Sequence, residues 1–273
     1  MFADDIKLFN VVESNDDFIK FQSDIDALQS WCTTNKLIIN LKKSYCMSYY
    51  RIKNPLILNY KIDGNSLERV NLIRDLGVMF DTKLLFDKHI DYIVSKARSM
   101  LGFLMRFGQE FKDQYTLKSI YCVLVRSLIE FSSVIWMPYY KVHSNRIESI
   151  QKKFIHFALR SFKWSKNTSL PKYEERCKVI NILPLYTRRV NLDLMLIYDI
   201  IGGKIDAPSL KEMISRNNEV KSLRNNRLLN IKFCRSNYGK NSPITRMSRY
   251  LNNCKCIYKS ISRDSFKKLI LNH

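Results

Sequence analysis

The chain after residue 14 repeats apolar positions at intervals of three and four, which predicts a helix with one buried face. These positions are Phe18, Phe21, Ile25, Leu28 and Trp31. Ser14 can accept a hydrogen bond at the start of such a helix, and Asp16 and Asp17 suit the positive end of its dipole. We expect the helix to end near Asn35.

Shorter apolar runs between residues 37 and 79 predict strands. The candidate strands are residues 37–41, 45–50, 56–62 and 76–79. The turn sequence Asp63-Gly64-Asn65 predicts a hairpin that joins the third candidate to residues 66–71. The first 80 residues are therefore expected to mix α and β structure.

Beyond residue 81 the apolar spacing returns to that of helices. Long helices are predicted around residues 90–104, 117–131 and 147–157, and shorter ones around 174–181, 188–201 and 209–216. From residue 221 onward Lys, Arg and Asn dominate, which predicts loose order until a partner binds. The predicted fold class is α+β: a small antiparallel sheet with one helix, followed by a mainly α-helical remainder.

Composition and charge change this picture by pointing to nucleic acid. A content of 46% apolar and 12% aromatic residues excludes general disorder, and the formal net charge is +21. The first 50 residues carry seven acidic and five basic side chains, whereas residues 221–273 carry one acidic and thirteen basic side chains. An acidic start and a basic end are expected of a protein that acts on a polyanion. A ribosomal-type binder or a membrane-surface protein would share the overall charge but not the acidic start.

Other sequence features favour an intracellular protein with no membrane partner. The longest apolar tract, residues 120–137, is interrupted by Arg126 and Glu130, which argues against a membrane span. No cleavable apolar segment follows Met1, and the seven cysteines are scattered, so we expect them to be reduced.

Two adjacent carboxylates, Asp4 and Asp5, stand directly before an apolar run. Adjacent carboxylates repel each other, and a pair flanked by apolar residues is suited to binding a divalent metal. The plainer interpretation is a solvated charge pair.

Several motifs, taken in order, resemble the reverse transcriptases of non-LTR (LINE, jockey-like) retrotransposons. The motifs are Phe2-Ala3-Asp4-Asp5, the helix ending in Trp31, residues 40–44 leading to Met47, Leu76-Gly77-Val78, residues 86–90, Ile129-Glu130-Phe131, Trp136-Met137-Pro138, residues 147–154 and residues 237–243. Their common order over most of the chain makes the resemblance more specific than any single motif.

The resemblance implies a C-terminal fragment of an RNA-directed DNA polymerase. Residues 1–80 would be part of the palm, 81–165 the helical thumb, 166–220 a helical connector and 221–273 a basic, partly disordered C-terminal region. Asp4 and Asp5 would bind Mg²⁺ or Mn²⁺ together with a third Asp that the family places upstream, and Phe2 stands where the family usually has Tyr. Without that carboxylate we expect the chain alone to bind metal weakly or not at all and to be inactive.

The resemblance also implies roles for further residues. Lys43 would approach the pyrophosphate as a general acid, and Leu76 and Gly77 would form the primer grip. The thumb residues implied to contact phosphates are Lys96, Arg98, Arg106, Lys152, Lys153 and Arg160. For Lys43, and for any one of these six alone, a solvated surface role stays open.

The implied partners are an RNA template, a DNA primer and the missing N-terminal part of the polymerase, in a nuclear or cytoplasmic ribonucleoprotein. The alternative is a non-catalytic RNA- or DNA-binding protein that uses the thumb and the basic tail. A decayed element with no selected role is a third possibility.

Overall fold

The computed structural model describes residues 5–111, 113–161, 171–215, 228–254 and 262–271. These residues are mostly helical with a few short strands, which confirms the α+β class. The chain divides into two compact units, Met1–His89 and Ile90–His273, referred to below as unit 1 and unit 2.

Unit 1 combines one long helix with very short strands. Its described elements are α1 (Asn15–Thr34), a 3-10 turn (Leu41–Lys43), β1 (Tyr45–Cys46), β2 (Lys61–Ile62), β3 (Asn65–Ser66), β4 (Glu68–Arg69), β5 (Leu72–Asp75) and β6 (Val78–Asp81). In the described residues β2–β3 and β5–β6 pair antiparallel, whereas β1–β4 pair parallel. Three separate pairs therefore replace the single antiparallel sheet that the sequence predicted.

The predicted helix and its N-terminal cap are confirmed by α1. The Ser14 hydroxyl accepts a hydrogen bond from the Asp17 N–H at 3.3 Å, and the Asp17 carboxylate accepts one from the Ser14 N–H at 2.9 Å. These reciprocal bonds satisfy N–H groups that have no partner within the helix. At the other end Trp31 is exposed and Cys32 is buried instead, so the buried face turns away from the predicted one in the last turn.

Helix α1 holds β2 through side chains. The rings of Phe18 and Phe21 lie 4.9 and 5.2 Å from the buried ring of Tyr60. Gln22 donates to the Lys61 carbonyl at 2.9 Å and accepts from the Lys61 N–H at 3.0 Å. The Gln22 amide thus makes the two hydrogen bonds that a neighbouring strand would make.

The predicted strands are mostly shortened or replaced. Residues 37–41 form no strand, and Ile38 is 97% exposed, because this apolar run does not reach the core. Leu76 and Gly77, predicted as strand, form the two-residue turn of the β5–β6 hairpin, with φ of 43° and 89°. The Asp63-Gly64 turn between β2 and β3 is confirmed, with φ of 52° and 72°. Both turns need positive φ at two successive residues, which Gly adopts without strain.

The described secondary-structure elements of unit 2 are helices. Its elements are α2 (Asp87–Phe107, which begins at the end of unit 1), a 3-10 turn (Gly108–Glu110), α3 (Gln114–Tyr121), a π-helical segment (Cys122–Arg126), α4 (Ser127–Glu130), α5 (Ser133–Trp136), α6 (Lys141–Ser161), α7 (Tyr173–Ile180), α8 (Leu185–Ile201), α9 (Pro208–Glu212), α10 (Asn237–Asn241), α11 (Pro243–Asn253) and α12 (Arg263–Leu271). Among the described helices none is long and apolar enough to cross a membrane.

The π-helical segment keeps one face of the second long helix buried. Leu117, Tyr121, Val125 and Ile129 are spaced by four residues, and all are fully buried. On a regular α-helix this spacing would drift by roughly 40° at each step. The wider π turn takes up this drift, so the four side chains stay on one side.

Helix α8 is the centre of the C-terminal core. Four residues of α8 belong to this core, namely Leu194, Ile197, Ile200 and Ile201. They pack with residues that lie farther along the chain, namely Ile214, Leu229, Met247, Leu251, Phe266 and Ile270. Five of these apolar residues lie beyond residue 221, in the part of the chain for which the sequence predicts loose order. The apolar residues there are few, but Met247 and Leu251 on α11 and Phe266 and Ile270 on α12 pack in the core around α8.

Candidate nucleic-acid interface

The predicted metal-binding pair is described only in its second member. Asp4 lies outside the described residues, and the side chain of Asp5 is exposed. Lys7 forms an ion pair with Asp75, the last residue of β5. This contact brings residues 5–7, called the Asp5 segment below, next to the β5–β6 hairpin. The turn of this hairpin is the predicted primer grip, Leu76-Gly77.

The described residues do not by themselves form a two-metal centre. Within the described ranges no three His, Cys, Asp or Glu side chains converge as a set of ligands. Mg²⁺ needs near-octahedral oxygen ligands held rigidly. Asp5 supplies one exposed carboxylate, and the neighbouring carboxylate of Asp75 is already paired with Lys7.

Lys43 and Leu76, the first residue of the predicted primer grip, are both exposed. Lys43 ends a 3-10 turn, where its backbone N–H donates to the Asn40 carbonyl at 3.0 Å. No hydrogen bond or ion pair among the described residues links Lys43 to Asp5 or to the hairpin. Leu76 is 50% exposed at the hairpin turn. Among the described residues, the Lys7–Asp75 ion pair therefore joins the Asp5 segment to the hairpin, whereas no hydrogen bond or ion pair joins Lys43 to either.

The six predicted phosphate-contacting residues are all exposed. Lys96, Arg98 and Arg106 lie on α2, whereas Lys152, Lys153 and Arg160 lie on α6. Within the described part of the chain none of the six pairs with a carboxylate. Lys152 extends over the ring of Tyr173, with its Nζ 5.1 Å from the ring centroid.

The cations on α6 and those on α2 differ in how they are arranged around their helix. At 100° per residue, Lys153 and Arg160 point roughly 20° apart on α6, with Lys152 on the adjoining side. Lys96 and Arg98 point roughly 160° apart on α2, so α2 cannot present both to one duplex. The α6 residues Lys152, Lys153 and Arg160 are called the basic strip below.

Other arginines of unit 2 are used to hold helices together. Arg188 binds Glu130 through two hydrogen bonds, and Arg246 binds Asp193 at 2.7 and 3.2 Å. Arg263 binds Asp199 through two bonds of 2.8 Å. These pairs join α8 to α4, α11 and α12. These paired structural arginines differ from the exposed cations of unit 2, such as those of the basic strip.

Behind the basic strip, α6 carries a buried carboxylate that the sequence analysis did not assign. Glu148 accepts hydrogen bonds from the N–H groups of Leu185 and Tyr186, at 2.9 and 3.2 Å, and from the Tyr173 hydroxyl. Pro184 precedes α8 and offers no side-chain cap. Glu148 thus caps the N-terminus of α8 from another helix, where the helix dipole favours a negative charge.

Gln151 completes this buried network. Its amide accepts from the Tyr121 hydroxyl at 3.2 Å and donates to the Tyr173 hydroxyl and the Leu183 carbonyl, both at 2.9 Å. Burial, together with the hydrogen bond to Glu148, raises the pKa of Tyr173, which keeps this hydroxyl neutral as a donor. The sequence held a signal for Gln151, because it stands four residues after Ile147 and so falls on the apolar face. The network fixes the helix that carries the basic strip.

Comparison with known proteins adds a distant relative. No protein-family model matches the chain, and no solved structure matches it. The chain is 24% identical over 143 residues to the uncharacterized protein B0403.1 of Caenorhabditis elegans. This similarity covers 52% of the chain and 70% of the relative. Because the relative carries no functional description, the function has to be argued from the geometry.

Proposed function

We propose that this chain is part of an RNA-directed DNA polymerase, a reverse transcriptase of the non-LTR retrotransposon type. Unit 1 would be the end of its palm, and unit 2 its thumb with the C-terminal helices. The observation that carries the proposal is the basic strip: three exposed cations on a helix that a buried polar network holds rigid. Phosphate contacts of this kind bind any sequence, which suits a polymerase that moves along its template.

Unit 1 supports the proposal in two ways. The ion pair between Lys7 and Asp75 puts the Asp5 segment beside the Leu76-Gly77 turn, as expected if the metal-binding pair and the primer grip act on one primer end. Large apolar side chains are also exposed, including Phe9 at 78% and Val11 at 73%. Such surface suits packing against the rest of a palm. Asp4 and Asp5 would then share Mg²⁺ or Mn²⁺ with carboxylates from that part.

The test is binding of an RNA–DNA hybrid duplex by the full chain over a series of salt concentrations. Replacing Lys152, Lys153 and Arg160 with Gln removes three phosphate contacts. We expect the affinity to fall and the slope of log K against log salt to become shallower by about 2 to 3.

A variant with the same change in net charge serves as the control. Lys178→Gln, Lys204→Gln and Lys211→Gln together remove three exposed cations that lie off the basic strip. This variant should keep a slope close to that of the parent. Equal losses in the two triple variants would show that only overall charge matters, and would count against a thumb surface on α6.

The second candidate is a non-catalytic RNA- or DNA-binding protein. It is favoured by the hydrophobic core around α8, whose residues all belong to unit 2. The genomic sequence upstream of Met1 separates the two candidates. An in-frame extension with a strand-borne Asp favours the polymerase, whereas a promoter and a true start codon favour the binding protein.

A further inference from the structure

A groove of about 430 Å³ opens in unit 2 between residues 231–234, α10 and α11. Its lining combines three cations with polar and apolar groups, among them Lys232, Phe233, Lys240, Thr245, Arg249 and Asn252. The volume falls within the range of small-ligand sites in proteins. The sequence analysis placed these residues in the basic C-terminal region but assigned none of them an individual role.

The walls of the groove are tied to one another. The Asn252 side chain accepts from the Leu229 N–H at 3.0 Å and donates to the Leu229 carbonyl at 2.9 Å, which fixes the segment before the groove to α11. Arg249 donates to the Lys240 carbonyl and so joins α11 to the end of α10. Because both Leu229 and Leu251 are buried in the core, the groove is a formed feature and not a gap between loose segments.

The charge of the groove favours an anion. Lys232, Lys240 and Arg249 line it, and the lining contains no Asp or Glu. Among the described residues none of the three cations pairs with a carboxylate, whereas Arg246 of the same helix α11 is paired with Asp193. Three like charges around one groove repel each other unless a negatively charged ligand lies between them.

Phe233 adds an aromatic surface to this charge. Its side chain is 86% exposed, directly after Lys232 in the chain and in the lining of the groove. An exposed aromatic ring next to cations is how proteins hold unpaired bases, since the ring stacks on the base while the cations contact phosphates. The bases of a duplex are stacked inside it and cannot reach such a ring.

We infer that this groove binds a segment of single-stranded nucleic acid, with its phosphates at Lys232, Lys240 and Arg249 and a base stacked on Phe233. The inference rests on the proposed function, because both require a nucleic-acid ligand. It assigns the unpaired strand to the C-terminal helices, whereas the basic strip on α6 takes the duplex.

Fluorescence anisotropy of the full chain with labelled single strands of about ten nucleotides tests this inference. Parallel arms use oligo(U), the corresponding oligodeoxynucleotide, and inorganic phosphate as a competitor. We expect Phe233→Ala to weaken oligonucleotide binding by about 5- to 150-fold, and Phe233→Tyr to retain it. Lys232→Gln and Lys240→Gln should each make the salt slope shallower by about 0.7.

The controls separate this inference from the proposed function. Lys267→Gln removes an exposed cation outside the groove and should change single-strand binding less than about twofold. The groove variants should bind the RNA–DNA hybrid as the parent does. If the chain binds the hybrid through the basic strip but does not bind the single strand, the inference about the groove is overturned and the proposed function is not. If the chain binds neither ligand, both proposals are overturned. A third outcome is that Lys232→Gln and Lys240→Gln weaken oligonucleotide binding, Phe233→Ala does not, and phosphate competes fully. This outcome would show a simple anion site and would overturn base stacking on Phe233.

Discussion

His89 is a buried histidine that the fold keeps neutral. Its side chain is 1% exposed, and its Nδ1 accepts a hydrogen bond from the Met79 N–H at 3.3 Å, at the edge of β6. Burial, with a smaller contribution from the charge of Arg74, lowers its pKa to about 4. Protonation would remove the acceptor and place a charge beside β6, the strand that follows the predicted primer grip.

Stability should therefore depend on pH through His89. In the unfolded chain its pKa is near 6.5, so on acidification the unfolded state binds the proton first. We expect the free energy of unfolding to fall by about 1.4 kcal/mol per pH unit between about pH 6.5 and pH 4 from this group. The measurement is urea denaturation at several pH values for the parent and for His89→Gln. A variant with the same pH slope as the parent would show that His89 does not titrate in this way.

At the scale of elements, α8 organises unit 2 through buried charge. Asp193 is fully buried and Arg246 is 3% exposed, and each is the other's partner. Burial raises the pKa of Asp193, while the hydrogen bond and charge of Arg246 act in the opposite direction. Removing one charge of such a pair leaves the other buried without compensation, and this is far more costly than losing a surface pair.

Asp193→Asn should accordingly lower the free energy of unfolding by about 3 to 5 kcal/mol. The matched change in unit 1 is Asp75→Asn, which breaks the partly exposed pair with Lys7 and should cost about 1 kcal/mol or less. Denaturation of both variants at neutral pH gives the comparison. Similar costs at the two positions would mean that the pair on α8 gains little from burial.

The helices were predictable because their apolar residues recur at helical spacing, and this regularity survives even the π-helical segment. The short strands were not predictable from the sequence, because a short apolar run such as residues 37–41 can equally lie on the protein surface. The exposure of Lys152 and Lys153 was predictable from the amphipathic pattern of α6. The groove was not, since Lys232, Lys240 and Arg249 come together only when α10 and α11 pack.

At the scale of the whole molecule, the two units differ in what they bury. Unit 2 buries many apolar residues, including a core around α8, whereas the buried apolar residues of unit 1, within its described part, are Ile25, Cys32, Tyr60 and Val78. Asp5, whose side chain is exposed, belongs to unit 1, which has fewer buried apolar residues. A catalytic centre needs groups held to within a fraction of an ångström, and unit 1 offers little packing to hold them.

We therefore expect the isolated chain to bind a primer–template without extending it. The measurement is primer extension on an RNA template with Mg²⁺ or Mn²⁺ and all four deoxynucleotides. Templated incorporation by the purified chain that disappears in Asp4→Asn and Asp5→Asn would contradict this expectation. Hybrid binding in the same preparation serves as the control that the protein is folded.

The π-helical segment also affects how this chain should be aligned with relatives. A π turn holds one residue more than the α-helical turn it replaces. A homologue that lacks one residue between positions 122 and 126 can therefore keep both flanking helices where they are. If the alignment places a single-residue gap at this point, the residues aligned with Leu117 and Ile129 occupy the same positions in both proteins. The deletion then leaves the packing of the flanking helices unchanged.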